Sequence, residues 1–187
     1  MANVLFLSSD KLKSMVAISN NELDKYLLSS IREAQDIGFQ SVVGSTLYNY
    51  LKDLIASKDI DKVENMLFKE LLDNAQYYIA YLALTNVVMV SNFKLDNVGV
   101  YQTEDEKLKP ISLNDTFKLK DYYTNKADFY CKRLQEFILR NKTFFRDYMT
   151  CECIANMEGN LYSSASCSVF LGGARGKETS YKPLKRS

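Results

Sequence analysis

The 187-residue chain is 47% hydrophobic with a formal net charge of +1, enough apolar material for one sizeable core and too little basic excess for a protein that coats nucleic acid along its whole surface. It contains no histidine, which excludes His-based triads and His-bearing zinc sites and removes the commonest general base near neutral pH. Its four cysteines, Cys131, Cys151, Cys153 and Cys167, include one C-x-C but no second close pair to complete a zinc site, so they read as free thiols in a reducing compartment.

In chain order, the opening "MANVLFLSSDKLKSMV" has an apolar run too short for a signal-peptide core. "SNNELDKYLLSSIREAQDIG" predicts a helix capped by Asn20 or Asn21, with Leu23, Leu27, Ile31 and Ala34 on one face and Gly38 as its stop. "GSTLYNYLKDLIASKD" repeats the pattern with Ser45 or Thr46 as cap and Leu47, Tyr50, Leu51, Leu54 and Ile55 as the apolar stripe. From Val63 to Met89 a third helix carries Val63, Met66, Leu67, Leu71, Ala75, Tyr78, Ile79, Leu82 and Val87, and its second half is apolar nearly all round, which places it at the centre of the core. Within it, "YYIAYLALTNVVMV" is shorter than the roughly 20 apolar residues a membrane span needs. A soluble, intracellularly made protein without membrane contact is expected.

Around Asn97–Gly99, "NFKLDNVGVYQ" changes period and suggests a small hairpin near residues 92–103. The carboxylates Glu104, Asp105 and Glu106 that follow lack the alternating spacing of a calcium loop and read as a solvated loop. From Asn114 a long helix carries Phe117, Tyr123, Ala127, Tyr130, Leu134, Phe137 and Ile138 as its stripe, and its lysines and arginines are interspersed with acids, as on a salt-laced exposed face. Beyond Phe145 the pattern dissolves, so residues 146–187 read as an extended C-terminal arm following a helical domain over residues 1–145. The fold class expected is mainly α, a bundle of about four helices with a hairpin insertion.

"GGARGK" near the C-terminus is no phosphate loop. Gly172 is one residue too close to Gly176, and Glu178 stands where a metal-reaching hydroxyl is required. Residues 171–187 hold Arg175, Lys177, Lys182, Lys185 and Arg186 against Glu178 alone, so this tail is the basic part of a chain otherwise slightly acidic. Thirteen tyrosines and no tryptophan, with pairs at Tyr77–Tyr78 and Tyr122–Tyr123, put amphipathic rings on both sides of their helices. Such rings suit either a tyrosine-rich core or protein–protein contacts. The partner-binding candidates are therefore Tyr77, Tyr78, Tyr122 and Tyr123, together with Phe170, Leu171, Arg175, Lys177, Lys182, Lys185 and Arg186 of an arm that would order by docking on a neighbour. No catalytic, cofactor-binding or metal-binding constellation stands out, and the chain is not expected to be an enzyme.

The phrase "IREAQDIGFQSVVGSTLYNYL" resembles the opening helices of head-to-tail connector (adaptor ring) proteins of tailed bacteriophages: a helix ending in Ala-Gln-x-x, a short Gly-containing link, and a Leu-Tyr-x-x-Leu helix. "NVGVYQ", "ADFYCKRLQEFI" and "VFLGGARGK" look like the hairpin, last long helix and arm of versions from phages of gut Bacteroidales, including the crAss-like group. The resemblance implies a virion protein of the neck, assembled in the bacterial host cytoplasm. It would form a ring, typically a dodecamer, beneath the portal protein and above the next tail or neck protein, and genomic DNA would pass through it in packaging and ejection without specific binding. The alternative expectation is an accessory DNA-binding protein that anchors phosphates with its basic tail.

Overall fold

The computed structural model describes residues 4–16, 24–96, 99–102, 112–150 and 152–159. Its architecture is mainly α-helical. Helix α1 (Ser9–Met15) is capped by the Ser8 hydroxyl, which accepts from the Lys11 N–H at 3.2 Å. Helix α2 (Asp24–Glu33) passes into a π-helical segment (Ala34–Phe39), then α3 (Gln40–Ala56), a 3-10 turn (Val63–Asn65) and α4 (Met66–Asn92). Strands β1 (Phe93–Asp96) and β2 (Gly99–Gln102) pair antiparallel, Phe93 opposite Gln102 and Asp96 opposite Gly99. Helix α5 (Leu113–Arg140) and the short α6 (Lys142–Phe145) follow, and residues 152–159 form a further helix, α7, at the end of the described residues.

The 27-residue α4 is the axis of the fold, packed against α5 on one flank and against α2 and the π segment on another. Its Leu71, Ala75, Ile79, Ala80 and Ala83 are fully enclosed, the alanines letting neighbouring helices come close. Leu27, Ile31 and Ala34 from α2 and the π segment, Leu47, Leu51 and Leu54 from α3, and Ala127, Leu134 and Ile138 from α5 close on it. Each large aliphatic side chain so buried contributes about 1.5–3 kcal/mol. Two members of the expected α4 stripe lie outside this core: Val63, in the 3-10 turn, and Met66, the first residue of α4, are largely exposed. Phe117 of α5 is likewise exposed.

Gly38 does not stop a helix. The chain continues through it to Val43, and a Cβ at Gly38 would lie 2.1 Å from Leu82 Cδ2 and 3.2 Å from the Tyr78 hydroxyl. The absence of a side chain at Gly38 thus makes room for Leu82 of α4. The helical path breaks instead at Gly44 (φ 80°, ψ 158°), a backbone conformation essentially reserved for glycine, and resumes at Ser45. The expected cap at Asn20 or Asn21, the position Leu23, the turn residues 97–98 and the acidic run Glu104–Glu106 lie outside the described residues.

The packed region also runs past residue 145, the limit read from sequence. Phe68 sits in a ring cluster with Tyr50, Phe144 and Tyr148, each with centroids 5.0 Å away, and with Phe145 at 5.7 Å. Phe145, Met149 and Met157 are buried. Apolar residues too sparse to show a period still find the base of the bundle, so the first part of the expected arm belongs to the core.

Candidate functional site: an aromatic and cationic face on the two long helices

Helices α4 and α5 run antiparallel, since Tyr77 and Tyr81 of α4 both meet Tyr130 of α5 while Glu70 and Asn74 lie beside Arg133 and Arg140. Residues 77 and 81 are one turn apart on one helical face. The Tyr130 ring stacks on both, at 5.2 Å and 14° from Tyr77 and 5.3 Å and 7° from Tyr81. Lys126 continues the row, its ammonium 5.2 Å from the Tyr81 ring centre and 4.4 Å from that of Tyr122, close enough for cation–π attraction. Phe129 stands edge-on to Tyr130 at 5.4 Å. On α5, Tyr122, Lys126, Phe129 and Arg133 recur at steps of four and three, which aligns them along one seam.

This face is open. Tyr77, Tyr122 and Phe129 are all exposed, and beside Phe129 a groove of about 540 Å³ is lined by Glu70, Asn74, Lys132, Arg133, Glu136, Phe137 and Arg140. Arg140 stands 3.8 Å from Glu136. Among the described residues Lys132 and Arg133 make no ion pair, so they give the groove its positive edge. The groove thus joins an aromatic floor to walls of mixed charge, with Glu70 and Glu136 facing Lys132, Arg133 and Arg140.

Of the sequence candidates, Tyr77 and Tyr122 are brought to this face. Tyr123 is half-buried, edge-on to Tyr122 at 5.4 Å. Tyr78 belongs to the core: adjacent helical residues point about 100° apart, and its ring is enclosed against α5 beside Cys131. Burial raises the Tyr78 hydroxyl well above the ordinary tyrosine range, with Cys131 next in effect, and pushes the Cys131 thiol up to about 11. Cys131 and Cys153 are free thiols; Cys151 and Cys167 lie outside the described residues, as do Phe170, Leu171, Arg175, Lys177, Lys182, Lys185 and Arg186. Sequence reasoning missed Tyr81, Lys126, Phe129 and Tyr130 as parts of one face. The four-three spacing on α5 was the available signal.

A second polar cluster is internal. Gln35 accepts the Phe6 N–H at 2.8 Å through Oε1 and donates from Nε2 to the Val4 carbonyl at 3.1 Å and to the Tyr48 hydroxyl at 2.9 Å. The Tyr48 hydroxyl donates to Asp36, and Lys52 stands 4.3 Å from the Tyr48 ring centre and 3.8 Å from the Asp36 carboxylate. Burial first, and the Asp36 carboxylate second, raise the Tyr48 hydroxyl. The cluster pins the N-terminal segment to the π segment and α3, helped by Gln76, which donates to the Phe6 carbonyl at 2.9 Å.

Fold and face together define a helical domain with an exposed aromatic face on α4 and α5. Among the described residues no three Cys, Asp or Glu gather as a metal site, and no described helix is long and apolar enough to cross a membrane. The chain belongs to DUF6712, a family of unknown function, whose model matches residues 39–157. No curated protein and no solved structure matches it.

Proposed function

We propose that the chain is a structural subunit of the head-to-tail connector of a tailed bacteriophage, assembled as a closed ring beneath the portal. The observation that carries this reading is the open Tyr77–Tyr122–Phe129 face on the two longest helices, held in shape by the stack of Tyr130 between Tyr77 and Tyr81. A rigid aromatic surface rimmed by cations is what a subunit contact uses, and one heterologous contact repeated around an axis closes a ring. The order of elements quoted above, with the strand pair placed between α4 and α5, supports the same reading. In it, the hairpin reaches the portal or a neighbour, and the arm that follows α7 reaches an adjoining subunit or the next tail protein. Genomic DNA slides through the channel, and the near-neutral charge of +1 suits a wall that must not hold it. The chain performs no catalysis.

Electron microscopy of the purified protein, alone and mixed with a phage portal protein from the same source, tests the proposal. Rings of uniform symmetry, or a ring seated on the portal, are expected. A protein that forms no ring and does not bind the portal overturns it. Salt-sensitive duplex binding by such a monomer would favour the accessory DNA-binding role.

A further inference from the structure

The seam on α5 continues past Arg133. Tyr122, Lys126, Phe129, Arg133, Glu136 and Arg140 follow one another at alternating steps of four and three, the spacing that lays a stripe along a helix and lets it pack lengthwise on another. All but the half-buried Lys126 are exposed, and the stripe runs over about 27 Å of helix. It lies on a different flank from Ala127, Leu134 and Ile138, the residues that α5 buries. A stripe that faced the core would be apolar; this one mixes rings, cations and a carboxylate.

The order of these residues makes the stripe complementary to itself in one direction. Laid parallel on a second copy, it sets Lys126 against Lys126 and Arg133 against Arg133. Laid antiparallel, with the two-fold axis level with Cys131, it sets Lys126 opposite Glu136, Phe129 opposite Arg133 and Tyr122 opposite Arg140, and symmetry repeats each pair. Every layer then joins a cation to a carboxylate or to a ring. The contacts these groups make within the chain leave them available. Glu136 and Arg140 stand 3.8 Å apart with both side chains at least half open to solvent, an arrangement that stabilises little. Lys126 lies over the rings of Tyr81 and Tyr122 and makes no ion pair among the described residues. Glu70, on the α4 wall of the groove, is outside the stripe. We propose that, away from the portal, two copies pair antiparallel through this stripe of α5. Such an isologous pair closes on itself and cannot grow into a ring. It covers Tyr122 and Phe129, so it keeps the subunit contact closed until another protein displaces one copy. This rests on the reading of that face as a subunit contact and names what occupies it before assembly.

The test is a charge exchange in the full chain: Lys126→Glu, Glu136→Lys and the double variant, with mass followed by sedimentation up to about 1 mM, where even a weak contact populates dimers. The wild type is expected to reach a dimer and stop there. Each single variant sets like charges opposite one another and should dimerise at least about tenfold more weakly. The double variant restores unlike charges and should recover the dimer, as should an equimolar mixture of the two single variants. Both positions lie outside the core, and equal thermal unfolding of all four proteins separates a lost contact from a lost fold. A wild type that stays monomeric, a dimer that neither single variant weakens, or a double variant as weak as the single ones overturns the pairing. If the purified protein forms rings by itself, the pairing fails and the ring reading stands. If the dimer behaves as expected but the protein neither binds a portal nor enters particles, the ring reading fails and the pairing stands.

Discussion

Gln35 Nε2 stands 2.9 Å from the Tyr48 hydroxyl, and that hydroxyl donates onward to Asp36. The Ala-Gln and Leu-Tyr-x-x-Leu phrases, thirteen residues apart, are therefore the two halves of one buried junction, and Gln35 also holds Phe6 and Val4 of the N-terminal segment. Gln35→Leu keeps the volume but strips these partners, and should cost about 2–4 kcal/mol by urea unfolding. Tyr48→Phe leaves the Phe6 and Val4 bonds in place and should cost about 1–2 kcal/mol. Equal losses would show that the backbone bonds to the N-terminal segment carry little.

Gly44 and Gly38 should respond to alanine for different reasons. At Gly44 the positive φ strains any side chain, and a Cβ would also lie 3.1 Å from Cys153 Sγ, so Gly44→Ala is expected to cost about 1–3 kcal/mol. At Gly38 the obstacle is the Leu82 side chain, which can shift. The overpacking cost of about 1–3 kcal/mol is offset by about 1 kcal/mol of helix propensity. Thermal unfolding of the two variants should rank Gly44→Ala as the less stable.

Tyr130 and Tyr122 separate stability from contact. Tyr130→Ala removes the ring between Tyr77 and Tyr81 and should destabilise the α4–α5 pair by about 2–4 kcal/mol. Tyr122 is exposed, and Tyr122→Ala should change stability by no more than about 1 kcal/mol. If both variants are equally stable, the stack does not hold the helices.

Alkaline pH should loosen the α4–α5 junction. Burial raises the Cys131 thiol from its ordinary 9.0 to about 11, with the Asp128 carboxylate adding to the effect, and burial raises the Tyr78 hydroxyl as well. Because both folded-state values lie above the unfolded ones, their contribution is fully present below about pH 9 and is lost as pH rises through about 11 for Cys131. The urea midpoint should therefore fall between pH 9 and 11, and less steeply in Cys131→Ser. A midpoint with the same slope in both proteins would remove Cys131 from the cause.

Where a helix buries a wide apolar face, the sequence was readable: Leu27, Ile31 and Ala34, then Leu47, Leu51 and Leu54, fall inside at the spacing their periodicity requires. What stayed hidden depends on tertiary contact. Glycine serves equally as a helix stop or as a point of close approach, so Gly38 could not be told from Gly44 without knowing where α4 lies. The π segment has no residue signature. Tyr77 and Tyr78 are chemically alike, and only the phase of α4 sends one to the surface and the other inward. The four-residue helix α6 and the eight-residue stretch at 152–159 are too short to show a period, which concealed that Phe145, Met149 and Met157 complete the core.

The most direct measurement of the proposed connector role is to tag the protein at its C-terminus and image the tailed-phage particles that this role requires it to enter. A connector subunit gives label confined to the neck between capsid and tail, in a number set by the ring. Particles without label, or with label on capsid or tail fibres, would contradict a place in the connector.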